Sequence, residues 1–273
     1  MMRRLGRTGV KVSALALGTM NFPYRTPEED AIRMIDRAID AGINFIDTAN
    51  LYGQPLNDGT GQGATESLLG KALAGKRQRL VLATKFYATM DRTDINARGG
   101  SRRHIMQAVE DSLRRLDTDY IDLYQMHRPD PEVPVDETLR ALDDLVRSGK
   151  VRYIGTSSFA GWQLVEALWT SDRLHLNRFV SEQPRYSLLD RRIETDVVPV
   201  AERYEIAILP YSPLGGGEMT GKYHQQAEAP AESRMQDPTW GEWADGFLSP
   251  QVTALVETLL AMAKEKGCTP GQL

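Results

Sequence analysis

Short apolar runs of strand character alternate with longer amphipathic stretches along the whole chain, and this alternation restricts the fold more than any other feature. The runs are VSALALGTM (12–20), INFIDTAN (43–50), RLVLATKF (79–86), YIDLYQMH (120–127), VRYIGTSS (151–158), RFVSEQP (178–184) and EIAILPYSPL (205–214). Between them, TPEEDAIRMIDRAIDAG opens with Thr26 as a cap and Pro27 in the first turn, and stops at Gly42. SRRHIMQAVEDSLRRL sets Ile105, Val109, Leu113 and Leu116 on one helix face. PVDETLRALDDLVRSGK ends at Gly149, and ETDVVPVAERY and PQVTALVETLLAMAKEKG supply two more helices. Strand, helix, strand without a break in composition predicts parallel βα units. Near-continuous apolar strands predict a sheet covered on both faces. A doubly wound sheet and a (β/α)8 TIM barrel both satisfy this. Seven strands without a domain-linking stretch, in 273 residues, favour a single barrel domain over 1–273, near the ~250 residues usual for that fold. The opening MMRRLGRTGVKVSALALG, its apolar part interrupted by Thr, Lys and Ser, reads as a β-hairpin leading into the first strand rather than a signal peptide.

Composition narrows the function classes. A formal charge of −4 leaves no basic footprint, so nucleic acid is not expected as a partner. No apolar run reaches ~18 residues, so no membrane span is expected. Cys268, the single cysteine, cannot form an internal disulfide and fits a reducing, cytoplasmic setting. His104, His127, His175 and His224 fall in no ligand spacing, so no metal site is expected.

The unusual polar residues stand at the C-terminal ends of the strands. Asp47 closes the second run, Lys85 the third, His127 the fourth, Ser157 and Ser158 the fifth, Gln183 the sixth, and Tyr211 and Ser212 the seventh. In a parallel barrel these ends share the face that carries chemistry. Parity agrees. Ile43, Phe45 and Asp47 point one way, as do Val81, Ala83 and Lys85, and Ile121, Leu123, Gln125 and His127, so each polar residue continues a row of inward positions. Singly, each has a plainer explanation: a capping Asp, a solvated Lys, a core His, a packing Tyr52. Complementary types recurring at the ends of consecutive units are much harder to obtain by chance.

The blocks DTANLYG, ATKF, LYQMHRPD, IGTSSF, EQPRYSLLDR and YSPLGGGEMTGKY, in that order, resemble the successive signatures of the aldo-keto reductase superfamily, on its bacterial and potassium-channel β-subunit-like side. The resemblance runs from the opening hairpin to the last residue. It implies an NADPH-dependent reductase of a small carbonyl substrate. Tyr52 would be the general acid, although a free tyrosine, with a pKa of ~10, donates reluctantly near neutrality. Lys85 and a hydrogen bond from His127 would lower that value, and Asp47 would hold and balance Lys85. For NADP(H), the resemblance implies Ser157, Ser158 and Gln183 at the carboxamide and Tyr211 stacked on the nicotinamide. Ser212, Pro213, Leu214, Gly215 and Gly217, with Lys222 and Arg234, would hold the pyrophosphate and adenosine end. Gly18, Thr19 and Met20, with Asp47, would add further contacts. The family often carries Asn where Ser158 stands.

Two features stand apart. GTGQGA (59–64) looks like half of a dinucleotide fingerprint, but it follows a loop rather than a strand, so it is read as part of an insertion (54–63) shaping the substrate entrance. The stretch 215–248 is read as a lid or cofactor clamp. At the other end, GCTPGQL carries a helix-start signal in Thr269, Pro270 and Gln272, and the eighth βα unit of the barrel is absent from the sequence. The expectation is therefore a chain that runs on beyond Leu273, ahead of the alternative of a truncated protein with a crippled cofactor site. A regulatory subunit that holds the nucleotide with slow or no turnover is the second reading, and a lyase forming a Schiff base on Lys85 the third. The sequence leaves monomer and homo-oligomer equally open.

Overall fold

The computed structural model describes residues 1–53, 62–224, 233–236 and 249–273. Its packing separates two compact units, Met1–Pro184 with Glu194–Leu209, and Arg185–Ile193 with Pro210–Leu273.

The first unit opens with an antiparallel hairpin, β1 (Met2–Arg4) and β2 (Lys11–Ser13). Seven strands follow: β3 (Leu17–Gly18), β4 (Phe45–Asp47), β5 (Val81–Phe86), β6 (Ile121–Met126), β7 (Val151–Ser157), β8 (Phe179–Gln183) and β9 (Ala207–Ile208). They pair in sequence order, each parallel to the next. A doubly wound sheet reverses its order at a switch point. This one does not, so the winding is that of a (β/α)8 barrel, with β3 and β9 as edges of the described sheet. Helices α1 (Glu28–Asp40), α2 (Ala64–Ala72), α3 (Arg102–Leu116), α4 (Val135–Arg147), α5 (Gly161–Leu174) and α6 (Val197–Tyr204) fall in the connections.

The local signals hold with some corrections. Ser101 caps α3 by accepting the His104 N–H, and Ile105, Val109, Leu113 and Leu116 are all buried. Thr26 does not cap α1. Pro27 occupies the cap with extended backbone and no side-chain bond, and Glu28, Glu29 and Asp30 set negative charge against the helix's positive end instead. The first and last runs form only two sheet residues each, because the hairpin takes Lys11–Ser13 and an edge strand has one neighbour to pair with.

Inward rows from the sheet meet the hairpin in one core. Phe45, Val81, Ala83, Leu123 and Val180 pack with Leu5 and Val12, and Tyr153, Ala207 and Leu209 border them. Phe45 and Val81 are the first residues of β4 and β5, so the hairpin plugs the N-terminal ends of the strands. Gly6 makes this possible. It has φ +54°, and a Cβ there would lie 2.4 Å from the Val180 carbonyl oxygen and 2.8 Å from that of Glu205.

One irregularity redirects the opposite, C-terminal ends. Ile154 pairs with Phe179 and Thr156 with Glu182, so one residue of β7, Gly155, faces two of β8, Val180 and Ser181. This β-bulge shifts the side-chain phase of β8. Val180 joins the inner core, while a Cβ on Gly155 would fall 2.3 Å from Ser181 Oγ, so neighbouring residues both turn inward. Gln183 then points inward as well, whereas strict alternation from the outward-facing Phe179 would turn it outward.

The second unit contains a 3-10 turn (Gly215–Thr220) packed on helix α7 (Pro250–Lys266), which Ser249 caps by accepting the Val252 N–H. Met219, Tyr223, Val256, Leu259 and Ala263 are buried there. Beyond α7, the Thr269 N–H donates to Gln272 Oε1 at 2.9 Å, the reciprocal bond of the capping box that the sequence signals.

Candidate active site

Asp47 ends β4, Lys85 lies near the end of β5, and His127 follows β6. Tyr52 comes from the turn after β4, where its N–H donates to the Ala49 carbonyl at 3.1 Å and its carbonyl accepts from the Thr65 N–H at 3.3 Å. These four residues, chosen from the sequence, converge. Lys85 is fully buried, and its Nζ reaches Asp47 Oδ1 at 2.5 Å, the Thr48 carbonyl at 2.9 Å and Tyr52 Oη at 3.5 Å. An ammonium has three protons and no water is needed to satisfy this one. Nζ also lies 5.1 Å from the Tyr52 ring centre. Tyr52 and His127 meet edge to face, their ring centres 5.9 Å apart, a ring contact where the sequence reading expects a hydrogen bond.

The electrostatics correct one expectation. Burial raises the Tyr52 phenol above its ordinary value; Lys85 opposes this, Asp47 reinforces it, and Arg128 opposes it more weakly. Lys85 lowers Tyr52 relative to burial alone, but not below a free tyrosine, because burial outweighs it and Asp47 offsets part of its charge. Burial alone would lower Lys85 too, yet Asp47 and Tyr52 more than offset that and hold the ammonium above its usual value. Burial, then Lys85 and Arg128, push His127 well below the usual histidine range, so its imidazole is neutral near pH 7. Among the described residues its buried Nδ1 has no hydrogen-bond partner, nor has either end of the Asn50 amide.

Asp47 is gripped from three sides. Oδ1 takes Lys85, while Oδ2 accepts Gln125 Nε2 at 3.1 Å and Gln183 Nε2 at 2.9 Å. Its carbonyl accepts both the N–H and the hydroxyl of Thr19, at 3.0 and 2.9 Å, which ties the Gly18, Thr19 and Met20 segment to the same strand end. Ser157 Oγ donates to the Gln183 carbonyl at 2.8 Å. Ser158, at φ +62°, accepts Arg128 Nη1 on its hydroxyl at 2.6 Å. Gln125 and Arg128 are the residues sequence reasoning missed. Both were legible in principle, Gln125 as a polar break in an inward apolar row and Arg128 as a cation next to His127.

The remaining cofactor residues predicted from sequence lie in the second unit. Tyr211 bridges to Arg185, and Ser212, Gly215, Gly216 and Gly217 all have positive φ. A Cβ on Gly217 would lie 2.8 Å from Lys222 Cε and 3.0 Å from Nζ. Pro213 and Leu214 lead into this turn, and Arg234 opens a 3-10 turn, Arg234–Gln236, with its side chain outside the description. The segments 54–61, 225–232 and 237–248, which hold most of the expected insertion and lid and the first residues of GTGQGA, lie outside the described residues. Among the described residues no group of His, Cys, Asp and Glu converges as a metal site, and no helix is long and apolar enough to cross a membrane.

A one-way parallel sheet with an Asp–Lys–Tyr–His cluster at its C-terminal mouth defines a barrel-type α/β protein with a buried polar site. Residues 14–273 match the model of the aldo/keto reductase family, and the chain belongs to that family of oxidoreductases. It is 47% identical over 224 residues to the uncharacterized oxidoreductase YrpG of Bacillus subtilis, covering 80% of this chain and 68% of that protein. A probable voltage-gated potassium channel subunit beta of Arabidopsis thaliana is 34% identical over 276 residues, 99% of this chain and 81% of its own. Protein tas of Escherichia coli is 35% identical over 292 residues, 99% of this chain and 83% of its own.

Proposed function

We propose that the protein is an NADP(H)-dependent reductase of aldehydes or ketones in which Tyr52 protonates the carbonyl oxygen. The observation that carries this reading is the fully buried Lys85 ammonium set between Asp47 and the Tyr52 hydroxyl. When bound, the nicotinamide cofactor supplies hydride to the carbonyl carbon, and the oxygen gains negative charge that must be quenched. Tyr52, protonated near pH 7, donates the proton, and Lys85 stabilises the phenolate that remains. Neutral His127 can donate a hydrogen bond to the carbonyl oxygen and orient it. In the reverse direction the phenolate is the base.

The residues suit the cofactor. Ser157, Ser158 and Gln183 place two hydroxyls and an amide at neighbouring strand ends, the donor and acceptor mix a carboxamide needs. Four positive-φ residues between 212 and 217, beside Lys222, form the kind of backbone concavity that takes a phosphate. Tyr211, Pro213, Leu214 and Arg234 join this assignment on the family resemblance alone, as does the choice of NADP. A cytoplasmic setting accords with the lone Cys268.

The test is Tyr52→Phe. Binding of reduced cofactor, followed by nicotinamide fluorescence, should stay within error of wild type. Carbonyl-dependent oxidation of the bound cofactor should fall by about 10²–10⁴-fold across an aldehyde and ketone panel. Turnover surviving in this variant would remove Tyr52 from the mechanism. Wild-type protein that binds the cofactor yet oxidises it with no carbonyl would favour a regulatory subunit, the role that the names of the channel-subunit relatives suggest.

A further inference from the structure

Gln125 stands midway along the inward row of β6, between Leu123 in the core and His127 at the mouth. It pairs in register with Lys85 on one side and Gly155 on the other. Its side chain is fully buried. Nothing in the packing requires an amide here, since an aliphatic side chain would continue the Ile121 and Leu123 row. Gln125 Oε1 has no hydrogen-bond partner among the described residues, and an unsatisfied buried acceptor costs about 1–3 kcal/mol. The fold also reserves room for it. Gly155 lies opposite, and a Cβ there would press on Gln125 Cγ at 3.3 Å and on Ser181 Oγ at 2.3 Å. A destabilising polar group, accommodated by a glycine, makes one hydrogen bond, and that bond goes to Asp47.

We propose that Gln125 is a positioning residue of the reaction: with Gln183 it holds Asp47 by Oδ2, turning Oδ1 onto Lys85 and drawing the carboxylate's charge away from the Tyr52 hydroxyl. The two acceptor atoms of Asp47 are divided by function. Oδ1, at 2.5 Å from Lys85 Nζ, serves the cation, and Oδ2 serves the two amides. Charge on Asp47 opposes ionisation of Tyr52, while charge on Lys85 favours it. Amide donors on Oδ2 polarise the carboxylate toward themselves, so Lys85 acts on the phenol with less of its field cancelled. The other charge facing this cluster is Arg128, which also favours the phenolate. The bulge in β8 belongs to the same device, since it brings the second amide, Gln183, to the same oxygen.

The inference rests on Tyr52 as the acid, and the experiment separates the two ideas by reading the phenol itself. A fluorotyrosine placed at position 52, whose phenol ionises at lower pH, reports its own titration by ¹⁹F NMR without cofactor or substrate. Gln125→Met keeps the length and removes the donor; this variant should move the titration up by about half a unit to one unit. Gln125→Leu removes the donor with a branched chain of similar volume, and the titration should move up by the same amount, as much as about tenfold less phenolate at a given pH. The pH at which alcohol oxidation reaches half its maximum should move up by the same amount in each variant, with KM for the cofactor unchanged. An unmoved titration in a folded Gln125→Leu protein, judged by melting temperature, would overturn the proposal even if Gln125→Met failed to fold. A shifted titration together with full turnover in Tyr52→Phe would keep the positioning role and discard Tyr52 as the acid.

Discussion

Removing either partner of the Lys85–Asp47 pair should destabilise the fold more than removing both. The Lys85 side chain has no exposure and that of Asp47 has 14%. Breaking a buried pair from one side costs about 3–5 kcal/mol, because a charge is left without its counterpart. The two sides are not equal. Lys85→Met leaves a carboxylate that still has Gln125, Gln183 and some contact with water, so its cost should lie near the lower end, about 3 kcal/mol. Asp47→Asn strands a fully buried ammonium on the Thr48 carbonyl and the Tyr52 hydroxyl, and should approach about 5 kcal/mol. The double variant carries neither charge and should lose less stability than either single one, although none of the three should reduce a carbonyl. Urea unfolding at pH 7, with unchanged m-values, gives the three free energies directly. Losses that simply add in the double variant would refute the reasoning, since they would mean that the two charges stabilise the protein independently.

Two further predictions concern the frame of the site. Burial raises Glu182 to about 7 from its ordinary value of 4.5, against opposing bonds from the Thr156 hydroxyl and the Phe159 N–H. The folded state therefore holds this proton more tightly than the unfolded one, and its contribution to stability is full below about 4.5 and is lost as pH rises through about 7. Glu182→Gln should flatten that decline, which can be as steep as about 1.4 kcal/mol per pH unit, in melts taken from pH 5 to 8. Gly6→Ala should lower stability by about 1–3 kcal/mol from the strained φ alone, and by more through the contact with the Val180 carbonyl, with the Asp47, Lys85, Tyr52 and His127 cluster chemically intact. An unchanged denaturation midpoint in that variant would contradict the tight seat described for the hairpin.

Much of this arrangement was readable from residue order. Period-two alternation in INFID, VLATK and IDLYQMH placed Asp47, Lys85 and His127 at the ends of inward rows, and the core now formed by Phe45, Val81, Ala83 and Leu123 obeys it. Side-chain phase was hidden wherever the pairing broke step. The extra residue in β8 reverses the inside and outside of its last residues, and no composition signal announces it. Charge balance was equally hidden. From sequence, Lys85, balanced by Asp47, lowers the Tyr52 value, whereas in three dimensions burial, reinforced by Asp47, outweighs it and the phenol moves up rather than down. Gln125 was seen only as a member of a row, because its role depends on which atom of Asp47 faces it. Thr26 carried a good cap signal that lost to the fixed backbone of Pro27.

The hairpin seat bears on the order in which the molecule can assemble. Leu5 and Val12 rest on residues as distant as Val180, and Gly6 closes against Glu205 and Ala207. Arg4 reaches Glu205 as well, at 2.8 Å. The hairpin thus cannot lock until some two hundred residues have followed it. Such separations carry a large loop-closure entropy and slow folding. Until β9 is in place, the inner faces of β4, β5 and β6 remain open to water at that end, and the nascent sheet is most exposed to wrong partners in the interval when its earliest residues are still waiting for its latest.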